Sequence, residues 1–82
     1  MSCVGKIYTL HFSSFPNSKA LFKVLDRDLR TKHISLLILF SNLAGYTTGE
    51  TFSSHTLIFD KEYQKEHSFT IVESNEEEEI IL

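Results

Sequence analysis

The sequence predicts an α+β domain: a small mixed β-sheet in the order β-α-β-β-β, with one amphipathic helix packed on one face. Three observations lead there. Leu36 to Phe40 is an unbroken apolar run inside His33–Leu43, and the segments Val4–Phe12 and His67–Glu73 alternate apolar and polar residues. Between the first two of these, from Lys19 to Arg30, the spacing changes to that of a helix.

Taken in order, Val4, Tyr8, Leu10 and Phe12 fall on one side of an extended segment, with Ile7, Thr9 and His11 on the other. Ser13 to Ser18 follows as turn and cap chemistry, in which Pro16 has no N–H to give to a ladder. Leu21, Val24, Leu25 and Leu29 then recur at i, i+3, i+4 and i+8, and Phe22 widens the stripe. This predicts an amphipathic helix whose opposite side carries Lys19, Lys23, Asp26, Arg27 and Arg30. A strand at Ile34–Phe40 after such a helix makes a β-α-β unit with parallel strands and a right-handed connection.

In that strand Leu36, Ile38 and Phe40 face one way and Leu37 and Leu39 the other, so both faces need cover. Ala44 to Glu50 reads as a hairpin loop with Gly45 and Gly49 free to take positive φ. Thr51–Phe59 is an expected strand, Asp60–Glu66 a polar connection with room for one helical turn, and His67–Glu73 the last strand. Phe69 and Ile71 share one of its sides, and Ser68, Thr70 and Val72 the other. Residues 1–75 are thus expected to be one domain, and 76–82, four glutamates followed by Ile80-Ile81-Leu82, an acidic mobile tail.

Composition narrows the class. At 82 residues the core is small, and 41% hydrophobic with 23% charged residues is ordinary for a folded protein. The net charge of −3 conceals a dipole. Lys19, Lys23, Arg27, Arg30 and Lys32 outnumber Asp26 and Asp28 by +3, whereas Asp60 to Glu79 holds eight acids against Lys61 and Lys65, a balance of −6. Cys3 is the only cysteine, no apolar run has signal-peptide or membrane-span length, and an intracellular protein without membrane contact is expected.

Motifs for chemistry are missing from the sequence. His11, His33, His55 and His67 lack metal-ligand spacing, Asp26 and Asp28 would diverge on a helix, and Cys3 has no positioned base. No phosphate-binding glycine loop or nucleophile elbow is present, so neither enzyme activity, metal nor cofactor is expected. The expected function is that of a non-enzymatic protein–protein interaction module: a small subunit, adaptor or inhibitor of an intracellular complex. One helix covers one sheet face, so the other must be covered by another protein, by a second copy of the chain or by the Ile80-Ile81-Leu82 tip folding back.

Leu37, Leu39, Ile71 and Val72 are the candidate interface residues. The alternative is RNA or single-stranded nucleic acid held by Lys19, Lys23, Arg27, Arg30 and Lys32, although a sequence pI of about 5.7 argues against a dedicated binder. A small enzyme with an unrecognised site is the third reading. Phe69-Thr70-Ile71-Val72 ahead of Glu76 to Glu79 resembles the short SUMO-interacting motif, which implies strand addition to a partner's sheet edge. Ser74, with Glu77 three residues on, resembles an acidophilic kinase site.

Overall fold

The computed structural model describes residues 3–74. The chain order is β1 (Ile7–Phe12), β2 (Ala20–Asp28), β3 (His33–Ser41), β4 (Thr51–His55), a 3-10 turn (Thr56–Phe59), α1 (Lys61–Glu66) and β5 (Phe69–Glu73). The five strands form one sheet in the order β4-β3-β2-β1-β5, with every neighbouring pair antiparallel. An α+β domain with little helix is what the chain forms. The mixed β-α-β-β-β arrangement is not.

The main correction concerns Lys19–Arg30, expected as a helix and found as β2, the middle strand. A middle strand buries both faces, so Ala20, Phe22 and Val24 are apolar towards one side and Leu21 towards the other. Read along the sequence, such a doubly apolar run imitates a helical stripe. A register shift between Val24 and Asp26 adds to the imitation, because it places Leu25 out of strict alternation. The parallel crossover accordingly gives way to two antiparallel hairpins. In the second, the Arg30 N–H donates to Asp28 Oδ1 at 2.9 Å and Lys32 takes a φ of 61°, which together fold Leu29–Lys32 into a short turn.

β1, β3 and β5 lie where alternation places them, and the loop after β3 uses Gly45 at φ 90° and Gly49 at φ 93°. The expected strand Thr51–Phe59 stops at His55, and Thr56–Phe59 turns off as a 3-10 segment. His55 caps it: the Leu57 N–H donates to His55 Nδ1 at 3.0 Å. Asp60 Oδ1 accepts the Glu62 N–H at 2.9 Å and caps α1 in the same manner.

β4 and β5 stand at opposite edges of the sheet, so the chain between them has to cross it. The crossing segment, not a helix at residues 19–30, covers the core. Phe59 sets its ring 4.9 Å from Tyr8, and Tyr63 sets its ring 6.0 Å from Phe69. Beneath them Leu10, Phe22, Val24, Ile34, Leu36, Ile38 and Ile71 are buried on one side of the sheet. Burial of a side chain such as Phe22 contributes about 1.5–3 kcal/mol. Beyond the crossing segment the core is closed by an aromatic arc, Phe52–Tyr46–Phe12–Phe69, with ring separations of 6.1, 6.3 and 5.9 Å. Under the arc lies a cavity of about 90 Å³ lined by apolar and aromatic side chains together with Ser54.

Candidate interaction surface

The helical segment packs on one face of the sheet, and the opposite face is built from the alternate residues of the same strands. Register fixes its rows. Val72, Thr9, Leu21 and Phe40 follow one another across β5, β1, β2 and β3. Ile7, Lys23, Leu37 and Thr51 form the next row, across β1, β2, β3 and β4. Two further rows are polar: Asp26–Ser35–Ser53 and Asp28–His33–His55. The face is therefore divided into an apolar half and a polar half.

Leu21 and Thr9 are buried at the middle of the apolar half, and exposure rises around them to 40% at Phe40 and 50% at Val72. Leu37 and Leu39 are half-buried there. A register shift between Leu21 and Phe22 puts both Leu39 and Phe40 opposite Leu21, so Phe40 leaves the side on which strict alternation from Leu36 and Ile38 would place it. The sequence pattern therefore locates Leu37, Leu39 and Val72 on this face but misses Leu21 and Phe40. The signal for Leu21 was the small–aromatic–β-branched series Ala20, Phe22, Val24, which suits a strand. Ile71 belongs to the other side: it is 5% exposed, within the core, and is not an open-face residue.

The five basic residues do not share a surface, since the helix that would have aligned them is absent. Lys23 stands in the second row of the open face. Arg27 pairs with Ile34 on the covered side, where its Nε is buried without a hydrogen-bond partner. Arg30 and Lys32 are in the exposed turn between β2 and β3, and Lys19 is half-buried just before β2. Ser74 follows β5, its N–H donating to the Ile7 carbonyl at 2.9 Å and its hydroxyl hydrogen-bonded to Thr9 Oγ1. A phosphate on Ser74 would thus have to displace a contact at the rim of the open face. Residues 76–82, with their glutamate run, lie outside the described residues.

The titratable groups are dispersed. His33 and His55 face each other across β3 and β4 with ring centres 5.5 Å apart, His11 is on β1, and His67 stacks on Tyr63 at 4.1 Å. Among the described residues no three His, Cys, Asp or Glu side chains gather as metal ligands, and no helix is long and apolar enough to cross a membrane. The titration of Tyr8 is displaced. Burial, then the nearby Cys3 and Glu73 charges, push its phenol above the usual value of 10.0. It sits between the rings of Phe22 and Phe59, a core position.

No protein-family model matches this chain, and comparison with curated proteins and with solved structures gives no significant match.

Proposed function

We propose that this chain is a non-enzymatic interaction module, a small subunit, adaptor or inhibitor, whose open sheet face receives another protein. The observation that carries the reading is the apolar half of that face. Leu37, Leu39 and Phe40 flank the buried Leu21 on the side of the sheet opposite the helical segment, and Val72 lies beyond Thr9 in the same row. Contiguous apolar surface of that kind on a small domain marks a docking site. Lys23 stands within it, so the partner presents apolar side chains together with an acidic group that meets the ammonium.

A photoreactive residue at position 39, set against one at Arg30 in the exposed turn, tests the reading in extract. The expected result is a discrete cross-linked product at position 39 alone, lost when Lys23 is changed to Glu. Cross-linking no different from that at position 30 overturns the proposal. Leu39→Asp is expected to abolish the association while far-UV circular dichroism stays that of the wild type.

A further inference from the structure

The two edges of the sheet are treated differently by the chain. On β5, the residues paired to β1 turn the main-chain groups of Phe69, Ile71 and Glu73 outward. That edge is guarded: the Ile71 N–H donates to Gln64 Oε1 at 3.3 Å, and Glu73 carries a charge that Lys6 meets at 3.7 Å. On β4 the guards are missing. Its sequence, Thr51-Phe52-Ser53-Ser54-His55, has no proline and no acid, lysine or arginine, and its pairing with β3 runs without a bulge.

Hydrogen bonds at both ends of β4 set the direction of its backbone. The Ile38 N–H donates to the Glu50 carbonyl and the Thr56 N–H to the Lys32 carbonyl, each at 2.9 Å. Even-numbered residues therefore bond to β3, and Thr51, Ser53 and His55 point their N–H groups away from the sheet. Thr51 and Ser53 point their carbonyls outward as well. Among the described residues none of these outward groups has a partner.

We infer that β4 pairs with β4 of a second copy, antiparallel about a two-fold axis at Ser53, joining two sheets into one of ten strands. In this register Ser53 exchanges both main-chain hydrogen bonds with Ser53 of the second copy. Each His55 N–H meets the Thr51 carbonyl opposite. The pairing is self-complementary: serine faces serine and threonine faces histidine, so no like charges oppose each other. Phe52, 39% exposed on the covered side, comes to lie diagonal to its own copy, within reach of an aromatic side chain. Thr51, Ser53 and His55, whose main-chain groups point outward, bring no carboxylate, ammonium or guanidinium, so a foreign strand would find no such charge here to select it. This association uses the edge, not the open face, and leaves that face available on both copies.

The test combines solution mass with register-specific cross-linking of the full chain. Light scattering over a dilution series is expected to show a dimer that dissociates on dilution, and Ser53→Lys, which opposes two ammonium groups at the axis, is expected to give a monomer of unchanged circular dichroism. In a Cys3→Ser background, Ser53→Cys is expected to form an interchain disulfide in a glutathione buffer, because facing residues of a bonded pair have Cα atoms about 5.5 Å apart. Thr51→Cys in the same background is not, since the two copies of that residue are offset by about 13 Å along the strands. A monomer at all concentrations up to millimolar overturns the inference. So does a dimer that resists Ser53→Lys and is broken by Leu39→Asp, a result that would instead place the second copy on the open face.

Discussion

Gln64 and Ile71 are joined by a hydrogen bond that closes the sheet edge at β5: the buried Gln64 side chain accepts the Ile71 N–H at 3.3 Å. Its amide donates to the Ile58 carbonyl at 2.8 Å, so one side chain ties α1 to the 3-10 turn before it and to the strand after it. This is why a six-residue helix, too short to be stable alone, holds its place over the core. Replacement by leucine keeps the volume and orphans two backbone groups, each costing about 1–3 kcal/mol. Gln64→Leu is expected to lower unfolding stability by about 3 kcal/mol in urea titrations; a loss below about 1 kcal/mol would show that the clip contributes little.

Tyr8 makes the fold sensitive to alkali. Its phenol is held above the usual range by burial first and by Cys3 and Glu73 second, so the folded state keeps the proton at a pH where the unfolded chain has released it. The folded state then binds more protons than the unfolded state, and stability falls as pH rises. The contribution is intact below about pH 10 and is lost as pH climbs through the folded-state value. Melting temperatures measured against pH are expected to decline above that point in the wild type and less steeply in Tyr8→Phe. Identical slopes would assign the decline to other groups.

His55 ends β4 and starts the crossing segment. Its Nδ1 accepts the Leu57 N–H, and its ring meets the edge of His33 across the strand pair. His55→Ala removes the acceptor and is expected to cost about 1 kcal/mol, with His55→Asn recovering much of it because asparagine is a good cap. Equal losses in both variants, read from denaturant midpoints, would show that the imidazole acts through packing alone.

The cavity of about 90 Å³ beneath the aromatic arc offers a gain in stability. Ser54 contributes a hydroxyl to a wall otherwise formed by side chains such as Leu36, Ile38, Phe52 and Ile58. Valine at this position fills part of the void and suits a strand. Ser54→Val is expected to stabilise the domain by about 0.5–2 kcal/mol, as cavity-filling changes commonly do. A lower melting temperature would mean that the space is already committed to packing.

By itself the sequence determined the alternating strands and their sides. Tyr8, Leu10 and Phe12 face the core, as do Phe69 and Ile71, because period-two alternation is a local property that survives whatever the strand pairs with. It also determined the turn at Gly45 and Gly49, and it put Leu37 on the side of β3 opposite Leu36 and Ile38. Only the tertiary structure decided the identity of Ala20–Asp28. Leu21 is buried on one side of this middle strand and Phe22 and Val24 on the other, and along a single chain that pattern coincides with a helical stripe. The place of Phe40 was decided in the same way, by a slip in pairing between β2 and β3 that neither strand encodes alone. So was the cover of the core, since β4 and β5 at opposite edges oblige residues 56–66 to cross the sheet. Strand order, bulges and crossovers arise from contacts between residues distant in sequence, and local periodicity carries no record of them.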